Sequence, residues 1–269
     1  MQIIAVSNQK GGCGKTTTSI NLAGAFARMS YKVLLVDCDP QGHATLGLGY
    51  DPAQLDATVY DVMTGSVDSV ASVARRTGMD GLDLLPANML LTGIEMELHN
   101  VPGKELILGE QLRVLSDWYD VCLIDCPSTL GLVMLNALTA STSVVVPVQA
   151  HFYAIDGLKR LLETIEVMRT RFHPCLVRPL GLVLTFVEGR TLLSQRVEEG
   201  LRDLFGPLVF DTVIHKTITL AEAPSMGQAI QTYAPDSRGA AEYEALAREI
   251  LGRLHRPDVI DIPAHEMPL

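Results

Sequence analysis

The stretch that most restricts the fold of this chain is SNQKGGCGKTTTSINLAGAFA, residues 7–27. An apolar run at residues 3–7, IIAVS, leads into three closely spaced glycines, and a helical pattern of small residues follows them. A strand that enters a glycine-rich loop at a helix N-terminus turns several backbone N–H groups toward one point, and such a cluster binds phosphate. The order of these parts predicts a strand–loop–helix unit that holds a phosphorylated ligand.

Other apolar, β-branched runs recur along the chain, and helical patterns separate them. They occupy residues 32–39, 82–87, 121–127, 143–149 and 180–187. Alternation of strands and helices predicts an α/β fold with a mostly parallel, twisted sheet flanked by helices, and continuous apolarity indicates strands covered on both faces. We expect one domain over residues 1–256, which ends in a helix from about Arg238 to His255. An irregular tail is expected over residues 257–269, where prolines argue against a helix.

The residue types of the glycine loop predict ATP and Mg²⁺ as its ligands and a P-loop NTPase architecture. Lys15 would reach the β- and γ-phosphates, and the Thr16 hydroxyl would hold Mg²⁺. The remaining predicted nucleotide contacts are Gly11, Gly12, Cys13, Gly14 and Thr17. The strict pattern G-x-x-x-x-G-K-[ST] requires glycine at position 9, where this chain has Gln9. The loop also carries a second lysine, Lys10, five residues before Lys15.

The run KGGCGKTT, with its extra lysine, resembles the deviant Walker A motif of the ParA/MinD family of ATPases. Later stretches resemble further blocks of that family, namely VLLVDCDPQGHATLGLG, YDVCLIDCPSTLGLVMLNAL and AEAPSMGQAI. The resemblance covers the chain from Met1 to about Leu254. It is strongest to the small ParA group that lacks an N-terminal DNA-binding domain, and it implies a slow ATPase that a partner stimulates.

The resemblance also implies roles for single residues. In this family the early lysine reaches the nucleotide of the partner subunit across a dimer interface, so Lys10 would act in trans and Lys15 in cis. Asp125 would lie near Mg²⁺, and Asp39 would lie near the metal and orient the attacking water. Phosphoryl transfer needs one such positioning group, which makes Asp39 reasonable from chemistry alone. Asp37 stays open between an indirect role at Mg²⁺ and an ordinary carboxylate at a strand end.

The resemblance to small ParA proteins implies an ATP-bound homodimer that binds nonspecific double-stranded DNA and positions cargo. A ParB-like partner or a small adaptor would stimulate hydrolysis, and the protein would be cytoplasmic and associated with the nucleoid. The formal charge of -10 argues against a wholly basic surface but permits a local basic patch. Arg190 matches a DNA-binding arginine of the family. Because Thr219 replaces a second family arginine, Arg196, Lys216 and Arg238 are further candidates.

The alternative function is that of a MinD-like, membrane-cycling spatial regulator. Such a protein needs a basic amphipathic C-terminal helix, whereas the end of this chain is acidic and interrupted by prolines, so membrane binding is not expected. A carrier of metal clusters would need paired cysteines, and the five cysteines form no C-x-x-C motif. Ser128 stands where relatives often have proline, and it is either neutral or alters the coupling of hydrolysis to a partner.

Overall fold

The computed structural model describes residues 1–149, 154–172, 175–188 and 192–255. Within these ranges eight strands form one sheet. The strands are β1 (Gln2–Val6), β2 (Val33–Asp37), β3 (Arg75–Arg76), β4 (Leu82–Leu85), β5 (Val121–Asp125), β6 (Ser143–Gln149), β7 (Arg178–Val187) and β8 (Val209–His215). Their spatial order is β3-β4-β2-β5-β1-β6-β7-β8. All neighbours pair in parallel except β3 and β4.

The same ranges contain α-helices between the strands and four short 3₁₀ turns. The helices are α1 (Lys15–Arg28), α2 (His43–Gly47), α3 (Val59–Thr64), α4 (Val70–Val73), α5 (Ile94–Glu97), α6 (Ile107–Arg113), α7 (Leu132–Ala140), α8 (Ala154–Arg171), α9 (Leu192–Phe205), α10 (Ile218–Glu222), α11 (Ile230–Tyr233) and α12 (Arg238–Leu254). The 3₁₀ turns are Pro52–Gln54, Met89–Gly93, Gly206–Leu208 and Ala223–Met226. This arrangement confirms the α/β fold class expected from the sequence.

Two apolar cores cover the faces of the sheet because successive strand residues point to opposite sides. In β1, Ile4 belongs to the core that also contains Phe26 of α1 and Tyr243 of α12. The neighbouring residues Ile3 and Ala5 belong to the other core, which includes side chains of α6, α7 and α8. Burial on both faces explains why the central strands are continuously apolar in sequence.

The central position of β1 determines where the glycine loop opens. This strand lies between β5 and β6, in register with Val121–Asp125 on one side and with residues 143–145 on the other. The loop at residues 7–14 therefore opens at the middle of the carboxyl edge of the sheet. The ends of β2 and β5 lie beside it, because Asp37 pairs with Asp125 in the register of these two strands. Ligands of open α/β sheets bind at this edge.

The last helix, α12, packs against the sheet along its length. Leu246, Ala247 and Ile250 are buried in the same core as α1. The apolar side chains of this helix thus pack in the core. The tail expected at residues 257–269 lies outside the described residues. No helix in the described ranges combines the length and the apolarity needed to cross a bilayer.

Candidate functional site

The glycine loop has a curled backbone that is anchored from both sides. Gly12 and Gly14 have φ values of +73° and +87°, a left-handed conformation that residues with a Cβ rarely adopt. Asn8 Nδ2 donates to Pro147 O at 2.7 Å, and Thr185 Oγ1 donates to Cys13 O at 2.7 Å. These bonds join the loop to the ends of β6 and β7, so its amides are held in place before the first turn of α1.

Phe186, at the end of β7, closes one side of the loop. A Cβ atom at Gly14 would stand 3.0 Å from Phe186 Cζ, so a larger residue would require the ring to shift as well as a strained, positive φ. Phe186 itself has a φ of +53°, which is unusual for an aromatic residue and stores backbone strain. The ring also lines a cavity of about 270 Å³ next to the loop. The other residues around this cavity are Thr17, Gln149, Lys216, Thr217, Leu220 and Ala221.

Lys15 lies at the start of α1, and its side chain is almost fully buried, with 7% of the residue exposed. Its ammonium donates to Ser128 Oγ at 2.7 Å and to Lys10 O at 3.2 Å. The first of these bonds connects the glycine loop with the loop that follows β5. A buried ammonium requires such partners, because an unpaired charge away from water is strongly disfavoured.

Asp125 ends β5 and is completely buried beside α1. Its Oδ1 accepts a hydrogen bond of 2.9 Å from Ser19 Oγ, whereas its Oδ2 has no hydrogen-bond partner among the described residues. Burial, with the nearby Asp37 carboxylate as the next cause, raises the pKa of Asp125 to about 8. A buried carboxylate with one unused oxygen is a group that a cation would stabilise.

Asp37 ends β2 and is also completely buried. Its Oδ2 accepts hydrogen bonds from Thr45 N at 2.8 Å and Thr45 Oγ1 at 2.7 Å, and its Oδ1 accepts from Asp39 N at 3.1 Å. Burial raises the pKa of Asp37 to about 6, although the hydrogen bonds from Thr45 oppose this shift. Through these contacts the Asp37 carboxylate organises the segment from Asp39 to α2.

Asp39 lies in that segment, is partly exposed, and accepts a hydrogen bond from Gln41 N at 2.9 Å. It follows a strand end at the same edge as Asp125. Mg²⁺ binds proteins through one or two carboxylates and otherwise through water and substrate phosphates. The Thr16 side chain, at the start of α1, lies near the Asp125 carboxylate. The unused oxygen of Asp125 and the Thr16 hydroxyl are therefore oxygen ligands of the kind that Mg²⁺ binds. Within the described ranges no three His, Cys, Asp or Glu side chains form a metal site of their own.

Lys10 lies at the mouth of the glycine loop and is half-buried. Its backbone is held by Asn8 Oδ1, which accepts from Lys10 N at 3.0 Å, and Lys10 O accepts from Cys13 Sγ at 3.2 Å. Across the described ranges the Lys10 ammonium has no carboxylate partner within 4.0 Å. The backbone of this residue is thus fixed while its charge stays available. The Cys13 thiol is buried, and burial raises its pKa.

Three of the four residues expected to contact DNA lie within the described ranges. Arg190 lies outside the described residues, and Arg196 is exposed on α9. Lys216 forms an ion pair with Glu188, and Arg238 donates to Glu242 at 2.6 Å. Lys216 and Arg238 line one surface cavity of about 680 Å³ together with His215 and acidic residues. This surface therefore contains both positive and negative groups.

Four polar side chains of this region were not singled out as site residues from the sequence. They are Ser19, Thr45, Ser128 and Thr185. Ser128 stands out in the sequence as a departure from a family pattern. Thr45 lies within a stretch that resembles the family, Ser19 lies just after another, and Thr185 lies in an apolar run, but all three are common small polar residues. Each acts on a residue more than seven positions away in the chain, so local spacing carries no signal of the contact.

Comparison with known proteins adds sequence relatives to this geometry. A family profile described as an AAA domain matches residues 1–177. The sporulation initiation inhibitor protein Soj of Bacillus subtilis is 44% identical over 249 residues, which are 93% of this chain and 98% of that protein. The chromosome-partitioning ATPase Soj of Thermus thermophilus is 47% identical over 251 residues, which are 93% of this chain and 96% of that protein.

A solved structure has a similar fold over nearly the whole chain. It is the cobyrinic acid a,c-diamide synthase of Mycobacterium smegmatis with bound ATP analogue and magnesium, which matches with a TM-score of 0.84 and 34% identity. The match covers 97% of this chain and 98% of that chain. Its name differs in kind from the names of the two sequence relatives. One fold supports several functions, so the choice among them depends on the residues of the site.

Proposed function

This chain belongs to the ParA-type family of ATPases, and on that premise we propose that it is an ATP-driven switch that dimerises, binds nonspecific DNA and positions a cargo. Its activity is the hydrolysis of ATP, with Mg²⁺ as the cofactor. Its general role is that of a ParA-like ATPase in a positioning system. Homodimerisation, DNA binding and a ParB-like or adaptor partner are the proposed, finer parts of this function.

In this proposal the curled backbone at Gly11, Gly12, Cys13 and Gly14 and the Lys15 ammonium hold the phosphates. Thr16 and Asp125 would hold Mg²⁺, whose charge would offset that of the phosphates during transfer. Asp39 would orient the attacking water, and its backbone position depends on the hydrogen bond to Asp37. The cavity beside Phe186, with Thr17 and Leu220 in its wall, has the size and apolar character to take the base.

The observation that carries the dimer proposal is the Lys10 side chain. Its backbone is fixed by Asn8 and by the ammonium of Lys15, yet no carboxylate of the described ranges pairs with its charge. One lysine, Lys15, already points into the loop. A second lysine at the loop mouth is well placed to neutralise a phosphate of another subunit, which agrees with the trans role implied by the family resemblance.

Exposed apolar side chains at the same edge of the sheet as the loop also support the proposal that a second copy of the chain covers this face. We use apolar rim for five large apolar side chains, each more than half exposed, that lie on segments following the carboxyl ends of β2, β4, β5 and β8. They are Leu46, Met89, Leu90, Leu130 and Met226. Large apolar side chains grouped on one face of a folded protein indicate an interaction surface.

DNA binding is proposed from the cations Arg190, Arg196, Lys216 and Arg238 and from the partitioning name of a relative. Glu188 and Glu242 pair with two of these groups, so the net attraction of this surface for phosphate depends on whether the pairs persist. A dimer would double the number of cations on one face and thereby strengthen binding to a DNA backbone. Such a protein would be cytoplasmic and would associate with the nucleoid.

The test is the sedimentation of Lys10→Ala with Mg-ATP, in an Asp39→Ala background that preserves the nucleotide. We expect the parent protein to form a dimer and the Lys10→Ala variant to bind ATP as a monomer. Lys32→Ala is the matched control, because Lys32 is exposed at the amino end of β2, away from the loop, and should leave the dimer intact. Dimerisation of the Lys10→Ala variant at the parental affinity would refute the trans assignment.

A further inference from the structure

The hydroxyl of Thr45 joins three segments that meet at the carboxyl edge of the sheet. Thr45 lies in α2 and is completely buried. Its Oγ1 donates a hydrogen bond of 2.7 Å to Asp37 Oδ2 at the end of β2, and it accepts one of 2.9 Å from Ala87 N on the segment that follows β4. A hydroxyl has one hydrogen to donate, and this one serves Asp37. A single side chain thus connects β2, α2 and the segment after β4.

The Asp37 carboxylate links Thr45 to Asp39. Asp37 Oδ2 accepts two hydrogen bonds from Thr45, one from its N at 2.8 Å and one from its Oγ1 at 2.7 Å. The other oxygen, Asp37 Oδ1, accepts from Asp39 N at 3.1 Å. Because a carboxylate is planar, the two bonds that fix one oxygen also set the direction of the other. The Thr45 hydroxyl therefore acts on the backbone of Asp39 through this one carboxylate.

The turn from Asp39 to Gly42 packs against the segment after β4. Asp39 O accepts a hydrogen bond of 2.9 Å from Gly42 N, and Asp39 Oδ1 accepts one of 2.9 Å from Gln41 N. Gly42 has a φ of +63°, and a Cβ atom there would stand 3.3 Å from Ala87 O. The residue that donates to the Thr45 hydroxyl thus also lies against the turn that carries Asp39. The bond between Thr45 Oγ1 and Ala87 N holds these two segments together.

We propose that Thr45 is a positioning residue for Asp39: its hydroxyl holds the Asp37 carboxylate against the segment after β4 and so keeps Asp39 where it orients the attacking water. Thr45 is completely buried, so it acts through other residues and not on the substrate. A displacement of about 1 Å in a positioned group can lower a rate about a hundredfold, which makes such support important. This inference rests on the proposed function, in which Asp39 orients the water.

The experiment compares kcat and KM for ATP between the parent and Thr45→Val, which has nearly the same volume but no hydroxyl. Asp37 Oδ2 then loses one of its two bonds, and Ala87 N loses its acceptor. We expect kcat to fall about tenfold or more while KM stays within about twofold, because other residues hold the phosphates. Thr45→Ser keeps the hydroxyl and should restore kcat to within about threefold of the parent. A parental kcat in Thr45→Val, or an equal loss in Thr45→Ser, would overturn the role of Thr45.

Two more variants control for general effects on folding. Thr142→Val removes a hydroxyl that donates to Ile3 O at 3.1 Å at the amino edge of the sheet, and it should leave kcat unchanged.

Asp37→Asn keeps the test decisive should Thr45→Val fail to fold, because it preserves the shape of the side chain and removes a buried charge. An amide nitrogen cannot accept a hydrogen bond, so this variant cannot serve both Thr45 and Asp39 and should lower kcat about tenfold or more at an unchanged KM. A parental kcat, or a kcat that excess Mg²⁺ restores, would contradict the proposal.

The double variant Thr45→Val/Asp39→Ala separates this inference from the proposed function. If Thr45 acts through Asp39, Thr45→Val should lower the single-turnover rate of the parent but change that of Asp39→Ala by less than about twofold. A loss by the same factor in both backgrounds would refute only the role of Thr45. A parental rate in Asp39→Ala would instead refute the assignment of Asp39 to the water, and with it the basis of this inference.

Discussion

Replacement of Asp125 by asparagine should stabilise the fold at neutral pH while it removes the proposed magnesium ligand. Asparagine has nearly the same shape and keeps an oxygen that can accept the hydrogen bond from Ser19. It carries no charge, so it avoids the cost of a buried carboxylate beside Asp37. Residues of functional sites often reduce stability in this way, because their chemistry requires an unfavourable environment.

The magnitude follows from the raised pKa of Asp125, about 8 in the folded protein against about 3.9 for aspartate in an unfolded chain. Between these two values the folded state holds a proton that the unfolded state has released. The free energy of unfolding therefore falls as pH rises, by about 1.4 kcal/mol per pH unit for this one group. Between pH 5 and pH 7 the stability advantage of Asp125→Asn over the parent should thus grow by about 3 kcal/mol.

Urea unfolding at pH 5, 6 and 7, in EDTA and without nucleotide, measures this difference directly. Asp39→Asn is the control, because it removes a carboxylate of the same site that is partly exposed to solvent, and it should retain most of the parental pH dependence. An Asp125→Asn variant whose stability follows the same pH dependence as the parent would refute the argument that burial keeps Asp125 protonated. Saturating Mg²⁺ with ADP should stabilise the parent more than the variant.

Three further substitutions test the assignments of catalytic and DNA-binding residues. Asp39→Ala should bind ATP and dimerise but hydrolyse ATP at least about a hundredfold more slowly. A single-turnover assay measures this rate, and a rate equal to that of the parent would exclude Asp39 as the water-positioning group. Arg196→Ala and Lys216→Ala should each lower the slope of log affinity against log salt by about 1.8 on random-sequence DNA, because each substitution removes one phosphate contact from both subunits of the dimer. Dimerisation should be unchanged. Unchanged slopes in both variants would assign the DNA surface to other residues.

The fold was predictable where burial on both faces leaves a local pattern. Six apolar runs lie within two residues of β1, β2, β4, β5, β6 and β7. Strand β8 was not predicted, because polar Asp211 and Thr212 interrupt its apolar pattern and the strand lies at the edge of the sheet that the described residues form. The two-residue β3 is too short to leave any pattern. The final helix was expected to end at His255 and ends at Leu254.

The site was predictable where the phosphate chemistry imposes residue types in sequence order. Left-handed φ values at Gly12 and Gly14 show why glycine is required there. The sequence could not show that Asp37 holds Thr45 or that Ser128 accepts a bond from Lys15, since these contacts depend on how strands are ordered in the sheet. The acidic partner of Lys216 is Glu188, which is 28 residues away, and the partner of Arg238 is Glu242, on the next turn of α12. The sequence prediction considered the basic residues alone and therefore did not include these ion pairs.

The most direct test of the proposed switch is the binding of Asp39→Ala to a labelled random-sequence duplex, with Mg-ATP against Mg-ADP, across a range of salt. We predict binding that requires ATP and weakens steeply as salt rises, as expected for a dimer that neutralises several phosphates. Absence of DNA binding with ATP, in a sample that sedimentation shows to be dimeric, would contradict the proposal that this ATPase acts on DNA.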